Sequence, residues 1–201
     1  MSFRDTVLFH AYAQLRPPVC WRNNEDRILD YFKVSTGRDW KKKAALQISW
    51  CSYFVHWCLV RGGMAPLPMV GTAGELHRKA HDDRTGLDKT IDMGSVGRFM
   101  KSRGGVYQDY LVGRKAYAPR PGDMYNKPVP SNHIGFISDV REAGGGEYEI
   151  MSIDGNSGPP GFSPLFDMSE GRRMIGYGFI YQPPTWRKLT PDCYYIHLCN
   201  D

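Results

Sequence analysis

An α+β fold, with helices first and an antiparallel sheet second, is predicted by three features of this 201-residue chain. Up to residue 102 the apolar residues recur mostly at the three- and four-residue spacing of helix faces. From Gly104-Gly105 onward short β-type runs are separated by Gly and Pro. Within the first of these regions, residues 50–60 are apolar too densely for a half-exposed strand, and Gly62-Gly63 closes the run. That pattern marks a helix buried on most sides, packed on the sheet.

The elements follow in order. Phe3, Val7, Leu8, Tyr12 and Leu15 give a first helix over 3–15, stopped by Arg16-Pro17-Pro18. Asn24 is suited to cap a second over 25–33, whose apolar part is Ile28, Leu29, Tyr31 and Phe32. Residues 35–43 read as a polar, basic loop, after which Ser49 is expected to cap the buried helix. Pro66 and Pro68 make 64–71 irregular, and Thr72 with Glu75 opens a short helix over 73–81. His77 and His81 lie i, i+4 on it, but Arg78, Lys79, Asp82 and Asp83 around them indicate a solvated face. Asp92 caps a helix over 93–102.

In the second half, residues 107–117 hold one or two short strands. Pro121-Gly122-Asp123 is a turn into a brief strand at Met124-Tyr125. Residues 133–140 form a strong strand with alternating faces, Gly144-Gly145-Gly146 a hairpin tip, and 147–154 the return strand. After a Gly/Pro-rich loop over 155–164, residues 174–182 alternate as the last sheet strand; the segment 194–198 adds a strand or packs on the surface. The expected organisation is an N-terminal helical extension (1–44), a catalytic core (45–182) and a C-terminal tail (183–201).

Composition narrows the function classes. No run approaches the ~18 apolar residues of a membrane span. Asp5 and His10 interrupt the apolar core that a secretory signal needs, so synthesis without a Sec-type signal is expected. The formal charge is +5, with clusters at Lys41-Lys42-Lys43 and Arg172-Arg173. Such a bias suits an anionic partner such as cell wall, and no nucleic-acid-binding motif accompanies it. Five Cys at irregular spacing argue against a disulfide framework. Cys193, His197 and Cys199 are a weak ligand cluster, and neither a metal nor another cofactor is expected.

Cys51 is the residue around which chemistry can be built. In the first turn of its helix, free backbone N–H groups and the helix dipole favour thiolate over thiol. A thiol nucleophile needs a base, and the base needs a group to steady it. His56 lies about 140° round the same helix and points away. His133, the first residue of the strongest strand, stands where the sheet meets the loops. At the far end of the hairpin Ile153-Asp154-Gly155-Asn156 returns beside it, so either Asp154 or Asn156 can orient the imidazole. Asn156 can alternatively hold a developing oxyanion. Trp50, beside the nucleophile, is either a substrate contact or a core residue.

These stretches carry a resemblance. Trp50-Cys51-Ser52-x-Phe54-Val55-x-Trp57-Cys58-Leu59, Pro121-Gly122-Asp123-Met124, Asn132-His133-Ile134-Gly135-Phe136-Ile137 and Ile153-Asp154-Gly155-Asn156 look like the successive motifs of CHAP-type cysteine amidohydrolases, part of the NlpC/P60-like, papain-related set. The resemblance spans roughly residues 45–182. It implies a papain-like α+β fold and hydrolysis of amide bonds in peptidoglycan without a cofactor. It also implies Cys51 as nucleophile and His133 as base, with Asp154 at an acidic position where many relatives have Glu, and Asn156 at the amide position. A wall hydrolase without a signal suits an antibacterial effector injected into a rival, with an immunity protein as its inhibitor, or a phage-type endolysin. The alternatives are an amidase on a soluble peptide or a polyamine–glutathione amide, and an idle wall-binding module.

Overall fold

The computed structural model describes residues 2–63, 107–108, 118–127, 133–159, 166–167, 172–174, 176–189 and 194–196. The helices expected over 73–81 and 93–102, the loops at 64–71 and 160–164, His77, His81, Cys193, His197 and Cys199 lie outside these residues.

Four helices come first, α1 (Phe3–Tyr12), α2 (Glu25–Thr36), α3 (Lys42–Ala45) and α4 (Cys51–Arg61). Ser2 and Asp5 form a reciprocal capping box on α1. Asn24 caps α2 as expected, accepting from the Arg27 N–H at 3.1 Å, and Gly37 ends it at φ 68°. The basic segment after α2 folds into the short helix α3, which its polar composition did not predict. α4 is buried from Cys51 to Leu59 because it packs against α1, α2 and the sheet together. An amphipathic pattern would have left a face unpaired there.

The strands are β1 (Tyr107–Gln108), β2 (Met124–Lys127), β3 (His133–Gly144), β4 (Glu147–Ser157), β5 (Phe166–Asp167), β6 (Arg172–Arg173), β7 (Phe179–Tyr181), β8 (Arg187–Lys188) and β9 (Tyr194–Ile196). All but β5 and β6 form one antiparallel sheet in the order β1-β9-β2-β3-β4-β7, with β8 also on β4. The hairpin β3–β4 turns at Gly144, Gly145 and Gly146, all at positive φ. Strand alternation sends Ile134, Phe136 and Ile153 into the helix-side core, while Ile137 and Ile150 join Tyr125, Leu189 and Tyr195 in a second cluster.

The structure corrects two expectations here. The region after 182, expected as a tail, contributes to the main sheet: β9 follows the strand reading of its 194–198 segment, and β8 is a strand that was not expected. The last strand is shorter than expected because Gly176 is engaged elsewhere. The Gly176 carbonyl accepts from both the Trp21 and Trp50 indoles, and its N–H donates to Leu46 O at 2.9 Å. Gly176 thereby clamps the chain leading into α4 instead of joining β4. Among the described residues no helix is long and apolar enough to cross a membrane.

Candidate active site

Cys51 is the first residue of α4, so its thiol sits at the positive end of the helix dipole. Ser49 is not the cap. Trp50 occupies that position without a side-chain capping bond, while the Ser49 hydroxyl lies 3.5 Å from Cys51 Sγ. Trp50 is fully buried, its indole donating to Gly176 O at 2.5 Å and its ring 5.7 Å from that of Tyr31. Of its two expected roles the structure supports the core one: with no exposed surface it makes no substrate contact here, and it ties the entry to α4 to the Gly176 carbonyl.

β3 delivers His133 to the sulfur. Burial alone raises the Cys51 thiol, but hydrogen bonding to His133, the charge of that imidazole, the Ser49 hydroxyl and the Ile134 N–H outweigh it and hold the thiol below its ordinary value. Cys58, seven residues on in the same helix, has no such neighbours, and burial pushes its thiol well up. Burial likewise lowers His133, yet Asp154 and Cys51 raise the imidazole to about 10. Both shifts favour a thiolate–imidazolium pair at neutral pH.

Asp154 is the group behind His133. Its Oδ1 lies 3.2 Å from His133 Nε2, off the line of ideal N–H donation, so the contact is chiefly one of charge. The carboxylate is only 1% exposed, and burial pushes its pKa up; His133, Arg187 and Tyr125 together reverse this and keep it ionised. Three other side chains hold it. Tyr125 donates to Oδ1 at 2.5 Å, Ser152 to Oδ2 at 2.8 Å, and Arg187 Nη2 to Oδ2 at 3.1 Å.

Sheet register explains how they meet. Tyr125, Gly135 and Asp154 lie side by side across β2, β3 and β4. Gly135 has no side chain, so the Tyr125 hydroxyl reaches across its strand to Asp154. A Cβ on Gly135 would fall 2.3 Å from Asp154 Oδ1 and 3.0 Å from Tyr125 Cε1. His133 and Gly135, and likewise Ser152 and Asp154, are two residues apart and share that face.

Asn156 does not join this group. It adopts φ 54° at an irregularity between β4 and β7, and its amide donates to Ser49 Oγ at 3.0 Å. It supports the hydroxyl beside the sulfur and leaves the imidazole to Asp154. His56 points away as expected, its Nδ1 2.9 Å from Ser35 Oγ, and burial lowers it to about 4.

Sequence reasoning brought forward Cys51, His133, Asp154 and Asn156 but missed Ser49 as a neighbour of the thiol, and Tyr125, Ser152 and Arg187 altogether. Ser152 was open to discovery by its two-residue spacing from Asp154. Tyr125 and Arg187 required the strand register. A groove of about 890 Å³ lined by Phe9, Tyr12, Leu15, Phe179 and Tyr181 includes none of these site residues.

No protein-family model, no curated protein and no solved structure matches the chain. The chemistry of the site therefore stands on its own geometry and on the motifs quoted above.

Proposed function

We propose that this protein is a cysteine amidohydrolase that cleaves amide bonds in peptidoglycan, as amidase or endopeptidase. One arrangement carries the reading: a thiol at a helix N-terminus, paired with an imidazole that a buried carboxylate backs. A structural Cys has no use for that surrounding, as Cys58 illustrates. Peptidoglycan as substrate follows from the CHAP-type motifs at residues 50–59, 121–124, 132–137 and 153–156. The papain-like form of the α+β fold is proposed on the same motifs.

In the proposed reaction the Cys51 thiolate attacks the amide carbonyl carbon, and the carbonyl π electrons move to oxygen. The Cys51 N–H and the Ser49 hydroxyl, steadied by Asn156, are donors for that oxyanion. One such donor is worth about 2.7–4 kcal/mol. As the C–N bond breaks, the nitrogen takes the proton from the His133 imidazolium and leaves as an amine. The acyl group remains on sulfur as a thioester. Neutral His133 then removes a proton from water, which attacks the thioester; the C–S bond breaks, giving a carboxylic acid and restoring the thiolate–imidazolium pair. Asp154 stabilises the imidazolium in both halves and never needs to take the proton.

On the same proposal the protein is an antibacterial effector, delivered by a type VI-like secretion route to the periplasm of a target cell, with an immunity protein made by the producer as its inhibitor. The test is mass analysis of purified sacculi digested with the wild-type protein and with Cys51→Ala. New amine and carboxyl ends are expected from the first alone. Equal release by the folded Cys51→Ala variant rejects the assignment. Release of none by the wild type, with Cys51 alkylated at neutral pH no faster than Cys20 or Cys58, points to an idle binding module.

A further inference from the structure

We infer that Arg187 is a positioning residue of this site: its guanidinium ends an alternating row of charges, Arg187, Asp154, His133 and Cys51, that keeps the buried sulfur in its thiolate form. The inference rests on reading these groups as the reactive site and adds to it a residue from outside the motif-bearing part of the chain. β8 brings Arg187 opposite Ile150 of β4. Residues 150, 152 and 154 share one face of that strand, so the guanidinium reaches along it. Its Nη2 is 3.1 Å from Asp154 Oδ2 and 2.8 Å from the Tyr125 hydroxyl, and it also donates to Ser152 Oγ. Asp154 is 1% exposed and the Arg187 side chain 37% exposed, so the arginine closes the outer end of the row.

Charge counting gives it a role beyond docking β8. With the sulfur ionised and the imidazole protonated, the four groups alternate plus, minus, plus, minus and sum to zero. Remove Arg187 and the buried remainder carries one net negative charge, which a low-dielectric site tolerates poorly. Of the two anions the thiolate is the stronger base, so it takes up a proton from solvent, which leaves the Asp154–His133 pair charged and the remainder neutral. Among the described residues two other titratable side chains interact with the row, Tyr125 from β2 and Tyr53 from α4. Burial holds both hydroxyls well above the neutral range, so neither supplies or removes charge there. The sign agrees with the carboxylate: burial raises Asp154, while His133 and then Arg187 bring it down.

The test is the pH profile of Cys51 alkylation by iodoacetamide, read by mass from about pH 4 to 10, in the full chain carrying Arg187→Met or Arg187→Lys. Methionine keeps an apolar stem without the charge, and its midpoint should rise by about one unit. Lysine keeps the charge without the fork, and its midpoint should stay within about 0.3 unit of wild type. Both substitutions should lower thermal stability, because neither restores all three hydrogen bonds. A purely structural arginine predicts that the two variants move the midpoint together or not at all, and either result overturns the inference. Should Arg187→Met fail to fold, a folded Arg187→Lys displaced by a full unit overturns it just as well. The assay contains no cell-wall substrate, so a failure to cut sacculi leaves this result standing, and a flat midpoint leaves the amidase question standing.

Discussion

Gly135→Ala is the sharpest probe of how the site is assembled, because it adds one carbon at the point where three strands converge. The new Cβ would lie 2.3 Å from Asp154 Oδ1, 2.7 Å from Ile153 O and 3.0 Å from Tyr125 Cε1. Side-chain carbons essentially never approach other atoms closer than 3.0 Å, so something must move. Ile153 O belongs to the β3–β4 ladder, and its retreat would part the hairpin. The carboxylate is the freer of the two, yet Tyr125, Ser152 and Arg187 all hold it. Overpacking of this kind costs about 1–3 kcal/mol, and one lost hydrogen bond to a charged group about 1.5–3 kcal/mol. A total of about 2.5–6 kcal/mol should lower Tm by roughly 5–24 °C in a chain of this size. Displacing Asp154 should also weaken His133 as a partner of the thiolate and slow Cys51 alkylation near neutrality by about tenfold. Circular dichroism melting and alkylation rates measure the two effects. Gly144→Ala is the control: its Cβ meets nothing within 4 Å, though φ is 90°, so it should cost about 1 kcal/mol of backbone strain and leave the thiol alone. Wild-type Tm and wild-type alkylation in Gly135→Ala would show that the Tyr125–Asp154 contact does not exist in solution.

Two further outcomes follow from the same groups. Asp154→Asn replaces an acceptor of four contacts with an amide whose N–H₂ faces donors; amide hydrolysis should fall by about 10²–10⁴-fold while Cys51 remains the site of alkylation, and undiminished turnover would remove Asp154 from the mechanism. The stability gap between wild type and Asp154→Asn should depend on pH with a defined sign. Asp154, held low in the fold, stabilises above the unfolded value of about 3.9 and loses this as pH falls through its lowered value. His133, held at about 10, stabilises fully below the unfolded value of about 6.5 and loses this as pH rises through 10. Urea titrations should therefore find the gap widest between about pH 4 and 6.5 and narrowing on either side; a gap that grows toward pH 10 would contradict the ion pair.

How far the chain announces this site depends on the range of the interaction involved. Asn24 before an apolar run and three glycines between alternating strands are local signals, and they located α2 and the β3–β4 hairpin within a few residues. Cys51 and His133 were legible for the same reason, since each sits at the end of an element whose boundary is written nearby. Between the two readings of Asn156 the sequence does not decide: strand alternation puts it on the face of Asp154, whereas φ 54° at the β4 irregularity turns its amide to Ser49. Ser49 reads as a cap because capping is the commoner use of a serine there; in the fold Trp50 holds that position, its indole on Gly176 O, and Ser49 turns to the thiol. Arg187 is the instructive case. A buried carboxylate facing an imidazolium and a thiolate demands a second cation, so the need for one was deducible from Asp154 once it was placed in the core. Its identity was not, because 26 Lys and Arg residues meet the electrostatic requirement equally and a two-residue strand has no periodicity to select among them. Only the pairing of β8 with β4 does so, and that pairing is a property of the assembled sheet.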